Sequence, residues 1–183
     1  IQRGIPQDKH PGEDLLDHTL RTVDAAPVGR PIVRLAALLH DMGKPASFAD
    51  GHFYGHETVG AEQAEALIRR LRMPRAIGER VALLVRHHMF TYEPSWSDAA
   101  VRRFIRRVGP TALEELFLLR SADNVGSGLP PDSFDLVELR ERVTGLLAAP
   151  VALELGDLAV DGNDLIAELG AEPQAVEFPG YTN

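Results

Sequence analysis

The sequence contains no cysteine among its 183 residues. That absence excludes disulfide frameworks, cysteine-ligated zinc and thiol nucleophiles together. It is compatible with a cytoplasmic protein, and we expect that location.

Long apolar segments are also missing. No run approaches the roughly 20 residues that a membrane-spanning helix needs, and the polar N-terminus has no signal-peptide core. We therefore expect no contact with a membrane. The first residue is Ile1 rather than methionine, and whether the chain stands alone or is excised from a longer polypeptide stays open.

Lysine is scarce, since the only lysines are Lys9 and Lys44, and 27 acidic residues against 19 basic ones give a net charge of −8. An acidic chain is a poor stand-alone binder of nucleic acid, because neutralised phosphates supply most non-specific affinity. One predicted helix nevertheless carries a basic stripe that could contact RNA phosphates. The alternative is a solvated face with acidic partners. The stripe consists of Arg102, Arg103, Arg106 and Arg107.

The periodicity of apolar residues is helical throughout, and no alternation is long enough to indicate a strand. We predict an all-α helical bundle with a short C-terminal appendage. Residues 1–126 form the main domain, and 127–183 form a helical extension packed on it, with an irregular tail. The segment 32–41 is apolar on nearly every face and belongs in the middle of the bundle. The predicted helices cover about 13–26, 32–41, 57–71, 74–88, 97–108, 111–124 and 134–147.

Two imidazoles and two carboxylates are candidates for a divalent metal site. His18, His40 and Asp123 lie on apolar helix faces, where a carboxylate is costly unless a cation or hydrogen bonds compensate. Mixed nitrogen and oxygen ligands suit manganese, iron, cobalt, nickel or zinc. Taken singly, each histidine is more simply a hydrogen-bonded core residue, and Asp123 a cap or an arginine partner. The adjacent pair His40-Asp41 at the end of an apolar helix favours the metal.

The pattern His18…His40-Asp41…Asp123, with the text LLHDMGKP, resembles the H…HD…D signature of the HD superfamily. The resemblance covers about residues 13 to 126. It implies an all-α fold that hydrolyses phosphate esters and uses these four residues as ligands. It also implies that Lys44 lies near the phosphate, where it would stabilise phosphoryl charge.

Further histidines resemble the version of the family that holds two metals. His56 begins a predicted helix, and His87 and His88 end another. The resemblance implies His56 and His87 as additional ligands and Asp41 as the bridge between the ions. His88, if it is not a ligand, could protonate the leaving oxygen. The alternative is that His87 and His88 merely cap a helix C-terminus, so one ion or two stays open.

A narrower resemblance is to the HD domain of bacterial tRNA nucleotidyltransferases. It rests on VRHHMF, VRRFIRRVG, LFLLRSADNVGSG and the tail ELGDLAVDGNDLIAELG. It implies a nucleotide or RNA-terminus substrate, including 2′,3′-cyclic phosphates, and a nucleotidyltransferase head domain as partner. The glycine-rich turn and paired strand carboxylates of that head are missing, so we expect no nucleotide addition by this chain alone. The alternative is a non-catalytic module that binds RNA or a partner and holds a structural metal. The natural substrate and the oligomeric state stay open.

Overall fold

The computed structural model describes residues 14–49 and 52–148. This part of the chain is an α-helical bundle, which confirms the predicted fold class. A single 3-10 turn, Pro110–Ala112, leads into α7. The helices are α1 (Leu15–Ala25), α2 (Pro31–Leu39), α3 (Lys44–Ser47), α4 (His56–Arg70), α5 (Arg75–His87), α6 (Asp98–Val108), α7 (Leu113–Gly126) and α8 (Phe134–Ala148).

The segment between α2 and α4 differs from the loop predicted there. Its first part is the single helical turn α3, and a small antiparallel pair follows, in which β1 (Phe48–Ala49) is bonded to β2 (His52–Phe53). Strands of two residues are too short to show an alternating pattern, which is why the sequence did not reveal them. The predicted irregular tail lies outside the described residues.

Helix α2 lies at the centre of the bundle, where it packs against α1, α5 and α7. Val33, Ala36 and Ala37 are fully buried. Small alanine side chains let neighbouring helices approach, and Pro31 opens the helix where no backbone donor is needed. The end of α2 therefore carries His40 and Asp41 into the interior.

Helix α1 starts at a well-defined cap. The Asp14 side chain accepts hydrogen bonds from the backbone of Leu16 and Asp17, and Asp17 bonds back to the backbone N–H of Asp14. A reciprocal cap of this kind contributes about 1 kcal/mol. It fixes the first turn of α1, from which His18 projects.

Two glycines set the distances between the elements that carry the site. A methyl group on Gly43 would overlap the backbone carbonyl of His56, and one on Gly126 would overlap the Thr22 hydroxyl. The turn after Asp41 is thus pressed against the start of α4, and the end of α7 against α1. Any larger residue would have to push these elements apart.

Helix α8 packs on α6 and buries Leu136, Leu139 and Val143. It belongs to the same compact unit as the helices before it. The domain boundary after residue 126 stays a prediction. Among the described helices, none combines the length and apolar character that a bilayer-crossing segment requires.

Candidate metal centre

A first cluster consists of His18, His40 and Asp123, which come from α1, the end of α2 and α7. The Nε2 atoms of His18 and His40 are 3.0 Å apart. Asp123 Oδ1 lies 3.2 Å from His18 Nε2 and 3.6 Å from His40 Nε2. Three potential ligand atoms from three helices therefore converge on one point.

A second cluster consists of Asp41, His56 and His88. Both histidines stand at helix ends, His56 at the start of α4 and His88 just after α5, and their Nε2 atoms are 3.4 Å apart. Asp41 Oδ1 lies 3.4 Å from His56 Nε2 and 3.6 Å from His88 Nε2. All three side chains are buried.

Asp41 connects the two clusters. While its Oδ1 faces His56 and His88, its Oδ2 lies 3.2 Å from His40 Nε2 and 3.5 Å from His18 Nε2. One carboxylate, 2% exposed, thus presents one oxygen to each pair of histidines.

Three of the four histidine rings are oriented by a hydrogen bond from Nδ1 to a backbone carbonyl. Nδ1 of His40 donates to the carbonyl of Ala37 at 2.8 Å, and Nδ1 of His88 donates to that of Val85 at 2.7 Å. Nδ1 of His56 donates to Phe53 at 2.9 Å. Since a carbonyl can only accept, the proton of each neutral ring is on Nδ1 and the Nε2 lone pair points inward.

The donor set fits a divalent transition metal. In the second cluster two Nε2 lone pairs face each other at 3.4 Å beside a carboxylate oxygen, an arrangement that is repulsive without a positive species between them. Ligands held at about 2.0–2.3 Å from one ion lie roughly 3.0–3.6 Å from each other. The spacings in both clusters, 3.0–3.6 Å, agree with that range.

The pKa shifts of the buried side chains also favour a bound cation. Burial opposes a charged imidazole, but the carboxylates of Asp41 and Asp123 outweigh it and raise the pKa of His40 to about 9. Burial also opposes ionisation of Asp41, yet His40 holds the pKa of that carboxyl well below its ordinary value. For His88, burial dominates and lowers the pKa. The centre thus attracts a cation, and a metal ion would compete with the His40 proton.

The structure does not bring His87 into either cluster. Its ring is half-buried beside α6, and burial together with Arg107 and Arg86 lowers its pKa. His88 lies in the second cluster, where the sequence analysis named His87 as a ligand. The roles of His87 as a ligand and of His88 as a proton donor stay predictions. The signal was present in the sequence, because His88 continues the buried stripe Val81, Leu84 and Val85 at helical spacing.

Two cations adjoin the centre. Lys44 Nζ lies 2.7 Å from Asp41 Oδ2. Arg120, which the sequence analysis did not single out, lies 3.6 Å from Asp123 Oδ2 and donates to the backbone carbonyl of Phe90 at 2.6 Å. Its position three residues before Asp123 on a helix was the available signal.

Comparisons with known proteins show what the chain is similar to. Residues 15–127 match the HD domain family. The chain is 32% identical to the A-adding tRNA nucleotidyltransferase of Deinococcus radiodurans, over 93% of this chain and 42% of the relative. It is 38% identical to the CC-adding tRNA nucleotidyltransferase of Thermus thermophilus, over 60% of this chain and 26% of the relative. It is 32% identical to the Multifunctional CCA protein of Cupriavidus necator, over 84% of this chain and 41% of the relative.

The chain spans less than half the length of each of these relatives. The expected likeness to the HD domains of tRNA nucleotidyltransferases is confirmed. HD domains bind divalent metals and are generally hydrolases, and both His/Asp clusters are of a kind that could hold a metal. The chain belongs to the HD domain family.

Proposed function

We propose that this domain is a metal-dependent phosphohydrolase that acts on a phosphate ester of a nucleotide or an RNA terminus. The observation that carries the proposal is the division of Asp41. Its two oxygens face two different pairs of histidine Nε2 atoms, at 3.2 and 3.5 Å on one side and 3.4 and 3.6 Å on the other. A purely structural site would need only one of these clusters.

In this proposal His18, His40 and Asp123 would hold one ion, and His56, His88 and Asp41 would hold another. When bound, such ions supply Lewis-acid stabilisation of the charge that develops on phosphoryl oxygens. Which transition metal is used is left to metal analysis, since mixed nitrogen and oxygen donors suit several.

The remaining chemistry belongs to the chain's own groups. Carbonyls of Ala37, Phe53 and Val85 keep three imidazoles in the tautomer that presents Nε2, so no rearrangement is needed when a ligand arrives. Lys44, half-buried next to Asp41, is placed to stabilise negative charge on the substrate phosphate. Arg120 balances the outer oxygen of Asp123.

The substrate class is inferred from the relatives. Their names describe addition of nucleotides to tRNA, which makes an RNA terminus, including a 2′,3′-cyclic phosphate, the first substrate to test. A nucleotidyltransferase head as partner and a cytoplasmic location are parts of the same proposal.

The test is hydrolysis of bis-p-nitrophenyl phosphate and of a 2′,3′-cyclic nucleotide with manganese, cobalt or nickel, with metal content measured on the same samples. We expect turnover that a chelator abolishes. Failure of the fully metallated protein to hydrolyse either compound or any member of a nucleotide panel would reject the proposal.

One observation favours a second candidate, a non-catalytic module with a structural metal. The names of two relatives describe nucleotide transfer rather than hydrolysis, so their HD region need not be a catalyst. That candidate predicts bound metal and a more stable fold without turnover, which the same samples would reveal.

A further inference from the structure

A cleft of about 370 Å³, lined by both polar and apolar side chains, lies between the end of α5 and α6. Neither cluster nor the proposed chemistry uses it. Its walls include Glu57, Arg86, His87, Thr91, Trp96 and Arg107. That volume lies at the lower end of what small-ligand sites occupy and fits a single nucleotide unit.

The cleft has a surplus of positive charge. Arg86 and Arg107 are exposed, and no carboxylate within residues 14–49 and 52–148 forms an ion pair with either guanidinium. Two other arginines are paired: Arg75 lies 2.6 Å from Glu79, and Arg142 lies 2.6 Å from Asp98. The acidic wall residue Glu57 is turned towards His56, with its Oε2 3.7 Å from Nδ1. Two free guanidinium forks on one cleft suit a phosphodiester.

The cleft also has an aromatic wall. Trp96 is the single tryptophan of the chain, and its half-buried ring packs edge-on against Tyr92 and Phe104, with centroids 5.6 and 6.3 Å away. A fixed indole beside cationic groups is the usual platform on which single-stranded nucleic acids stack a base.

The position of the cleft links it to the second cluster. Glu57 directly follows His56, and His87 directly precedes His88, so two wall residues are chain neighbours of two proposed ligands. A strand whose end lies at the clusters would pass this cleft with its next nucleotides.

We propose that the cleft binds a phosphate and the adjoining base of single-stranded RNA, upstream of the terminus processed at the clusters. The inference rests on the proposed function, because that function places the end of the RNA strand at the clusters. Arg86 and Arg107 bind the phosphate, and Trp96 stacks on the base. The acidic charge of the whole chain, −8, does not oppose this, because the binding is local to one cationic cleft.

The test is a fluorescence titration of Trp96 with a single-stranded oligoribonucleotide of about ten nucleotides, a length within the usual range of such sites. The oligoribonucleotide ends in a free 3′-hydroxyl, so it carries no terminal phosphate to be hydrolysed and the protein keeps its metals. We expect saturable quenching, and a logarithmic salt dependence whose slope reflects the phosphates contacted.

The decisive comparison is Arg107→Ala against Arg69→Ala. Both arginines are exposed and lie in the last turn of their helices, so each variant loses the same charge at an equivalent place, but Arg69 is outside the cleft. We expect Arg107→Ala to weaken binding about tenfold and to reduce the salt slope by about one. Arg69→Ala should leave both nearly unchanged. Equal loss in the two variants would overturn the proposal.

Inorganic phosphate and a nucleoside monophosphate distinguish a strand from a free anion. If either quenches Trp96 as tightly as the RNA, the cleft is a small-anion site and the RNA proposal is rejected. Absence of RNA binding in a protein that hydrolyses a generic diester would reject this inference alone. RNA binding without any hydrolysis would reject the proposed function but support the cleft as an RNA-binding site.

Discussion

Lys44 Nζ lies 2.7 Å from Asp41 Oδ2, the carboxylate oxygen that faces His18 and His40. The two residues are one helical turn apart, and Gly43 between them is pressed against the start of α4. The ammonium group therefore lies beside the first cluster, outside the places that the histidine side chains occupy.

Lys44→Met should separate charge stabilisation from metal binding. Methionine has a similar side-chain length but removes the cation, whose Nζ lies 5.6 Å from the centroid of the Phe53 ring. We expect metal content to be unchanged and kcat to fall by about two orders of magnitude, as when a group aimed at developing charge is removed. Lys44→Arg is the charge-retaining control. Loss of metal in Lys44→Met would mean instead that Lys44 acts by positioning Asp41.

His88→Ala and His87→Ala form a matched pair of neighbouring substitutions. Only Nε2 of His88 faces Asp41 and His56, so His88→Ala should lose one bound ion per chain while His87→Ala keeps both. Metal analysis after saturation with manganese gives the answer. The opposite result would restore the assignment of His87 as the ligand.

Asp41→Asn should abolish metal-dependent turnover and leave the helical content intact. The amide preserves the volume but not the charge, and four inward-facing histidines cannot hold divalent ions as firmly without that carboxylate. Asp24→Asn, which makes the same charge change at an exposed position of α1, should behave as the unmodified protein. Circular dichroism and metal content are measured together. An active Asp41→Asn variant with its metals retained would contradict the shared role of Asp41.

Gly43→Ala should destabilise the protein, whereas Gly145→Ala should not. The first methyl would overlap the carbonyl of His56, while the second, within α8, meets nothing within 4 Å. We expect a loss of about 1–3 kcal/mol in the free energy of unfolding for Gly43→Ala, with weaker metal binding. Gly145→Ala should gain about 0.5–1 kcal/mol, since alanine favours a helix. Denaturant unfolding curves measure both, and equal midpoints would contradict the close-approach argument.

Local pattern was sufficient for most of the fold. A period of 3.6 residues is a property of a short segment, so the helices carrying His18, His40 and Asp123 could be located within a few residues of their observed ends. The apolar character of 32–41 also indicated the central place of α2. The strands β1 and β2 escaped because two residues cannot display a period.

The choice between His87 and His88 shows what a sequence motif leaves undetermined. Consecutive helical residues point about 100° apart, so at most one of the two can face a given neighbour. A resemblance in sequence letters does not fix that rotation. It is set by the burial of Val81, Leu84 and Val85 against the rest of the bundle, which turns His88 inward and leaves His87 beside Arg107.

The sequence by itself determined the helices and the residue types available to a metal. Only the tertiary structure decided how they meet. The division of Asp41 between two histidine pairs depends on α1, α2, α4 and α5 approaching within atomic contact. Steric fit at Gly43 sets the approach of the turn after Asp41 to α4, and steric fit at Gly126 sets that of α7 to α1. These contacts join separate elements of the chain, so no local periodicity in the sequence reveals them.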